Sequence, residues 1–588
     1  MMNSSDAGLK GRHRGDVLKA EKNHRGPAAG MSWMRDYQRE WLRTDIIAGL
    51  VAAAVVIPKA MAFATIAGLP VQVGLYTAFV PMVIYAVLGT SRPLSVSTTT
   101  TIAILTAAEL GRVAPTGDPG ALMAATATLA MLVGALLLLG SLLRLGFVAN
   151  FISDPVLAGF KAGIGLVIVV DQVPKLLGFH IVKTGFFRDI LSMIQHLPAT
   201  SWVTLAVTLV MLGLMFGLER FAPRAPAPLI AVGFGIAGSI LLGLPALGVA
   251  TVGKIPRGMP SLMWPDFGLL LAMWPGAAGI ALMSFTESIA AARAFAKSGE
   301  PRPAPNQELF ALGAANIAGG LLGAMPAGGG TTQTAVNRSA GAKTQMAEIV
   351  TATAALATLL LLAPLISMMP AATLAAVVIV YSVGLIKLGE FRELSRVRKT
   401  ELYWAIVAFA GVALLGTLRG ILVAVITSLL ALAQQAYSPP VYAVGRKRGT
   451  NAFRKISAQH PDDETWPGLL IVRIEGRIFF ANAQRVGDRI WPLMQQARPA
   501  VILIDCRAIF DIEYTALKML AEAEENLRRD GIMLWLAGLN PTVLTAVQRS
   551  RLGETLGRGR MFFNLQAAVE GYEQLVAAGK IARKTTAA

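Results

Sequence analysis

Long apolar stretches separated by short polar turns make up most of this chain, and a different rhythm replaces them after Pro439-Pro440. Segments such as Ala121–Leu143, Trp202–Leu218, Leu229–Leu244, Ile349–Leu365 and Tyr403–Leu418 are each close to the ~20 residues that cross a ~30 Å hydrocarbon core as a helix. Together with apolar segments interrupted by Gly and Pro, they predict about fourteen spans. Past Leu469 the apolar runs shorten. Leu469–Glu475 and Arg477–Ala481 read as a hairpin, and Val501–Asp505 and Ile532–Ala537 as buried strands. Amphipathic helices are predicted over Ala483–Gln496, Thr515–Arg528, Pro541–Arg549 and Leu565–Ala577. Such alternation predicts a small sheet covered by helices. The expected organisation is an N-terminal arm (1–44), a membrane domain (45–438), a polar, basic linker (439–466) and an α/β domain (467–580).

Two polar runs interrupt the apolar pattern in a similar way. Pro93-Leu-Ser-Val-Ser-Thr-Thr-Thr-Thr101 and Pro326-Ala-Gly-Gly-Gly-Thr-Thr-Gln-Thr334 each place a Thr five residues after a Pro, and each continues into helical sequence. In lipid every backbone N–H and C=O needs a partner, so irregular backbone at membrane depth survives only where protein covers it or it lines a polar cavity. A single Thr-rich run reads as an extramembrane loop. A matched pair reads as two broken helices around a transport site.

Composition agrees with a polytopic membrane protein. Of 588 residues 54% are hydrophobic and only 15% charged, and the mean hydropathy is +0.57. The charge is +18 and collects in the N-terminal arm, in Arg392–Lys399 and in Arg446–Arg448, which places these segments and both termini in the cytoplasm. The basic excess therefore reads as topology and contact with anionic lipid, not as nucleic-acid binding. The arm lacks the pattern of a cleaved signal peptide. A single cysteine, Cys506, excludes an internal disulfide framework, and the five histidines show no metal-ligand spacing. No cofactor is expected. No Gly-rich loop followed by Lys and Ser or Thr is present, so ATP-driven pumping is not expected.

Several motifs resemble one family. Ile57-Pro-Lys-Ala-Met-Ala-Phe-Ala-Thr-Ile-Ala-Gly-Leu-Pro70, Gly74-Leu-Tyr-Thr-Ala-Phe and Gly89-Thr-Ser-Arg92 resemble the opening signature of the sulfate permease (SulP) anion transporters. Phe285-Thr-Glu-Ser-Ile-Ala-Ala-Ala-Arg-Ala-Phe-Ala296, Asn306-Gln-Glu-Leu and Gly328-Gly-Gly continue the likeness. Leu503-Ile-Asp-Cys-Arg-Ala-Ile-Phe-Asp-Ile-Glu-Tyr-Thr-Ala-Leu517 is similar to the STAS domain those proteins carry. The resemblance implies a polytopic α-helical membrane protein with a 7+7 inverted repeat. It also implies core and gate domains, a cytoplasmic STAS domain, a homodimer and an elevator motion. It places an anion between the N-termini of the third and tenth spans, where unpaired N–H groups and a partial positive charge favour it.

Carried over by motif, the substrate-binding residues are Lys59, Phe63, Thr98, Thr99, Thr100, Thr331, Thr332 and Gln333, with Glu287 for coupling to H⁺ or Na⁺. Many family members have Gln where Lys59 stands and Ser-Arg where Thr332-Gln333 stands, so the fixed cation is expected to have moved to the first span. Glu287, a buried charge in a membrane span, is a functional candidate, with Lys59 or Arg293 as a structural partner in the other reading. Phe63 reads as packing or as a wall of the anion site. Asp154, Lys161 and Asp171 read as helix-end or gate contacts. Thr515 matches a phosphorylatable position, but Glu513 stands where Asp is usual, which favours a structural role at a helix N-terminus. The expected function is secondary transport of a small anion, sulfate favoured and H⁺-coupled. The rivals are a Na⁺-coupled bicarbonate importer, an anion channel and a STAS-linked sensor.

Overall fold

The computed structural model of the chain describes residues 32–580 apart from 36, 116–117, 151–152, 180, 182–185, 224, 254, 256–257 and 298–299. It divides into two compact units, the first ending at Leu429 and the second beginning at Leu430.

The first unit is helical. In chain order its main helices are α1 (Trp41–Ile66), α2 (Val71–Leu88), α3 (Thr100–Val113), α4 (Pro119–Leu142), α5 (Asp154–Leu177), α6 (Trp202–Phe221) and α7 (Ala227–Leu241). There follow α8 (Leu270–Ala294), α9 (Pro305–Leu321), α10 (Thr331–Ser339), α11 (Met346–Leu361), α12 (Ala371–Val383), α13 (Lys399–Leu415) and α14 (Thr417–Tyr437), which ends in the second unit. Among the described residues eight stretches are long and apolar enough to cross a membrane, which makes this a multi-pass membrane protein. The others are too short or too polar for that measure, α3 and α10 above all.

Much of the 1–44 arm lies outside the described residues, but its end does not behave as an arm. Trp33 is buried and its indole N–H donates to the Ala86 carbonyl at 2.8 Å, and α1 already begins at Trp41. The basic residues that gave this stretch its arm-like composition hid two anchoring tryptophans.

Two sets of helices pack among themselves. In one, α4 lies along α9, α11 along α1 and α2, and α8 against α3, α4 and α10. In the other, α5 lies along α13 and α12, and α6 against α12 and α7. The close pairs need glycine: a Cβ at Gly159 of α5 would lie 1.9 Å from the Ala405 carbonyl of α13. With lipid outside, such backbone proximity and not hydrophobicity holds the helices together.

The polar runs predicted as broken helices form a two-stranded sheet. Strand β1 (Val96–Ser97) pairs antiparallel with β2 (Gly328–Gly329), Val96 opposite Gly329 and Ser97 opposite Gly328. The glycines are required here because β2 lies on α8. A Cβ on Gly328 would meet Ser284 Oγ at 2.8 Å, and one on Gly329 would meet the Ser288 Cα at 3.0 Å. The backbone left without helix partners is satisfied by side chains: Asn316 brackets Ala327 through its amide, and Ser288 Oγ accepts the Gly329 N–H at 2.6 Å.

The second unit holds a six-stranded sheet in the order β4-β3-β5-β6-β7-β8. Its strands are β3 (Val441–Arg446), β4 (Phe453–Lys455), β5 (Leu469–Ile474), β6 (Val501–Asp505), β7 (Met533–Ala537) and β8 (Met561–Phe562). From β5 to β8 the neighbours are parallel, whereas β3 runs antiparallel to both β4 and β5. Helices α15 (Ala483–Ala497), α16 (Tyr514–Arg529), α17 (Pro541–Gln548), α18 (Arg551–Leu556) and α19 (Leu565–Ala577) complete the unit. Two sequence expectations are corrected here. Residues 439–466 are not merely a linker, because β3 and β4 are the outer part of the sheet, β4 being a three-residue edge strand with charged residues at two of its three positions. Arg477–Ala481 is not the return arm of a hairpin. Gly476, at φ +111°, turns the chain away from β5, and Asn482 Oδ1 accepts the Phe479 N–H to open α15.

Asp505, at the end of β6, is fully buried and accepts bonds from Arg473 Nε at 2.7 Å and Arg507 Nε at 2.9 Å. Burial alone would raise its carboxyl, but the bonds and charges of Arg507 and Arg473 outweigh this and hold it below the usual range. A group depressed in this way adds stability above its unfolded value, about 3.9, and loses it as pH falls through the folded value. Asp505→Asn is therefore expected to lower the stability of the second unit at pH 7 by about 3 kcal/mol and to flatten its acid sensitivity below about pH 4. Limited proteolysis of the full chain across a pH series measures both.

Candidate functional site

The sheet of β1 and β2 delivers two short helices to one place. Thr99 is the N-cap of α3, its hydroxyl oxygen accepting the Ile102 N–H at 3.3 Å, and Gly330 is the N-cap of α10. The two starts are tied across the sheet: Gly330 N donates to the Ser95 carbonyl at 3.2 Å, and Ser95 N to Thr334 Oγ1 at 3.1 Å. Both helix starts open on a cavity of about 670 Å³ that is also lined by Lys59, Phe63, Lys161, Glu287 and Tyr381. Every residue expected at the anion site, Thr98, Thr99, Thr100, Thr331, Thr332 and Gln333 included, lines it.

Lys59 comes from α1, one residue after Pro58, whose missing N–H frees a carbonyl in the helix. It is 5% exposed and its Nζ sits 3.9 Å from the centroid of the Tyr381 ring, a cation–π contact. Phe63, one turn later, packs edge-on against the same ring at 6.5 Å. Phe63 thus both packs and walls the cavity. Thr98 is buried, and among the described residues its Oγ1 has no hydrogen-bond partner. A buried hydroxyl left so costs ~1–3 kcal/mol, which a bound ligand or water would relieve. Thr331 and Thr332 are exposed to the cavity on the first turn of α10.

Three expected roles differ in the structure. Glu287 does not pair with Lys59. Its carboxylate accepts Thr99 Oγ1 at 2.9 Å and Thr101 Oγ1 at 3.0 Å, and Lys161 Nζ lies 3.3 Å away. Thr99 therefore spends its hydroxyl on Glu287. Lys161, read as a helix-end or gate contact, is not at a helix end: about two turns into α5 it makes the ion pair with Glu287 beside the start of α3, a contact of the gate kind. Gln333 lines the cavity but spans the two halves: Ser97 Oγ donates to its Oε1 at 3.0 Å, and its Nε2 donates to the Ser95 carbonyl at 3.2 Å. Asp154, Glu219, Lys387 and Glu390 also line the cavity, Lys387 and Glu390 as a pair at 2.8 Å. Asp154, already singled out as a helix-end or gate residue, starts α5; Glu219 lies near the end of α6, and Lys387 and Glu390 lie beyond α12, so only the packing of these segments around α3 and α10, invisible to local patterns, could have found the last three.

Thr515 stands apart, in the second unit. It is exposed in the first turn of α16, while the N-cap position belongs to Glu513, which accepts Arg477 at 2.7 Å. The N-cap residue is thus an acid held by an arginine, and its side chain makes no capping bond to the helix.

A multi-pass helical chain with two facing helix starts and a buried cation around one cavity is a membrane transporter by its architecture. Residues 42–408 match the sulfate permease family and residues 460–568 the STAS domain. A probable sulfate transporter of Mycobacterium tuberculosis is 35% identical over 553 residues, 93% of this chain and 98% of that protein. The chloroplastic sulfate transporter 4.1 of Arabidopsis thaliana is 31% identical over 579 residues, 94% of this chain and 83% of the relative. The chain belongs to the sulfate permease family, a family of transporters and not of enzymes, and carries a STAS domain. Its fold is that of the murine SLC26A9 anion transporter in the inward-facing state, with a TM-score of 0.85 at 22% identity over 93% of this chain and 94% of that one. The transmembrane domain of the cyanobacterial bicarbonate transporter BicA matches 67% of this chain and 98% of its own, with a TM-score of 0.59 at 24% identity.

Proposed function

We propose that this protein is a secondary transporter of a small oxyanion, sulfate favoured, whose core helices α1–α4 and α8–α11 move as an elevator against a gate of α5–α7 and α12–α14. The observation that carries this reading is the β1–β2 pairing that sets the N-termini of α3 and α10 on one cavity beside Lys59. Two helix starts and one buried ammonium supply positive potential and N–H donors, while the Glu287 carboxylate on the same cavity is held by Thr99, Thr101 and Lys161. The fourteen helices count as spans in a 7+7 repeat, with α3 and α10 as the equivalent half-spans. The sulfate names of the relatives support the substrate class.

Coupling to H⁺ is assigned to Glu287. It sits on the core helix α8, while Lys161 sits on the gate helix α5, so sliding of core against gate separates the pair. A homodimer, contact with anionic lipid, both termini in the cytoplasm and an inner-membrane location belong to the same reading.

Uptake of labelled sulfate, bicarbonate, chloride and fumarate by the purified protein in liposomes, with pH and Na⁺ gradients imposed separately, tests it. Concentrative sulfate uptake driven by the pH gradient is expected. Uptake that only dissipates a gradient would make the protein a channel, and bicarbonate uptake driven by Na⁺ would replace both substrate and coupling ion.

A further inference from the structure

The cavity described above lies at the start of α5 and the end of α12, with Lys59 and Phe63 of α1 between. Farther along the same three helices is a second cavity, of about 290 Å³. On α5 it is lined by Gln172 and Lys175, roughly 16 and 21 Å beyond Lys161 at ~1.5 Å of rise per residue. On α1 it is lined by Thr65, past Phe63, and on α12 by the first turn from Ala371, ahead of Tyr381.

Two contacts in it are unusual. Lys175 Nζ donates to the Thr65 carbonyl at 3.3 Å, which ties a helix of one packing set to a helix of the other. Thr65 is the last residue but one of α1, where the dipole end is negative, and its carbonyl, which also accepts the Gly68 N–H at 3.3 Å, suits the ammonium. Gln172 is wholly buried. Its Nε2 donates to Asp171 Oδ2 at 3.1 Å, and among the described residues its Oε1 has no partner. A buried acceptor without a donor calls for a donor inside the cavity, a water or a hydrated ligand. The first turn of α12 adds a positive helix end, and Lys175 adds a full charge.

We propose that this second cavity is an entry site for a small hydrated oxyanion at the face opposite the cradle's opening. Lys175 passes from the Thr65 carbonyl to the anion on binding, which unties α1 from α5. The Gln172 Oε1 then accepts from a water of the anion's shell. Arrival of the anion thereby releases the contact that holds this face shut. The proposal rests on the reading that the chain carries such an anion.

Thr251 also lines this cavity, and the test places a reporter there with Thr251→Cys and follows its modification by a membrane-impermeant thiosulfonate in the full-length protein in liposomes. The chain's one cysteine adds no background: Cys506 is buried, and burial pushes its thiol up to about 12. Millimolar sulfate is expected to slow modification about threefold or more when Lys175 is present and not at all in Lys175→Met. Without sulfate, Lys175→Met is expected to be modified faster, since the tie is gone. Lys175→Met is further expected to raise KM about tenfold for sulfate presented at this face alone, with kcat and the opposite-face KM kept, and Lys175→Arg to restore it. Equal protection with and without Lys175, or a KM change of the same size at both faces, overturns the proposal. Protection without uptake would refute the transport reading and keep the site; uptake without Lys175-dependent protection would do the reverse.

Discussion

Lys59→Gln is expected to reduce the kcat/KM of sulfate uptake about a hundredfold, which is ~2.7 kcal/mol of lost interaction. The other lysines of the cavity are committed, Lys161 to Glu287 and Lys387 to Glu390. Lys59, by contrast, has only the Tyr381 ring and, among the described residues, no carboxylate within ion-pair distance. Removing a buried charge that meets an oppositely charged ligand costs ~2–5 kcal/mol, so the loss will exceed what any threonine of the cradle contributes. Tyr381→Leu, which removes the ring but keeps the charge, should cost only about three- to tenfold. Adding Gln333→Arg to Lys59→Gln returns a cation to the start of α10, as many relatives have it. The guanidinium can keep the bond to the Ser95 carbonyl but cannot accept from Ser97 Oγ, so the tie between the two halves is weakened. Recovery to about a tenth of the original uptake is the expected result. If the single Lys59→Gln protein takes up sulfate within about threefold of the original, Lys59 is a packing residue and the cradle works by helix ends alone.

The cradle could be read from the sequence because its signal is local. Pro, Gly and Thr in a fixed order inside apolar sequence contradict every regular membrane element, and two such runs contradict it in the same way. The breaks and the threonines at the starts of α3 and α10 follow from those residues, whereas the β1–β2 pairing and the packing of Gly328 and Gly329 on α8 are contacts between distant segments. The partner of Glu287 was not legible. Its hydrogen-bond donors Thr99 and Thr101 are two residues apart on α3, but Lys161 lies on another helix and in a sequence segment whose charges look like ordinary helix ends. The same holds for Gln333, whose amide is used within the protein by Ser95 and Ser97 and only secondarily faces the cavity. In the second unit the parallel strands β5, β6 and β7 announced themselves by apolar runs buried on both faces. The outer strands β3 and β4 did not, because β4 is a three-residue edge strand with one partner and β3, between β4 and β5, carries a mixed run with no continuous apolar stretch.

Glu287→Gln is expected to abolish the response of uptake to an imposed pH gradient while exchange of internal for external sulfate continues. A gradient of one pH unit supplies ~1.4 kcal/mol per proton, enough for about tenfold accumulation at one proton per anion, and the variant should accumulate none. The substitution is mild for the fold, since the amide oxygen still accepts from Thr99 or Thr101. It is severe for the pair, because Lys161 is left opposite a neutral group. Lys161→Met should therefore act differently. It removes the cation that Glu287 meets on α5, and coupling is expected to weaken although the carboxylate remains. Lys161→Arg keeps a charge and should keep coupling. Glu287→Gln combined with Lys161→Met removes both charges and should transport without coupling at a rate above either single variant, since neither charge is then buried alone. A Glu287→Gln protein that still accumulates sulfate with the pH gradient would move the coupling proton to another group of the core and leave the Lys161 pair as a tether between core and gate.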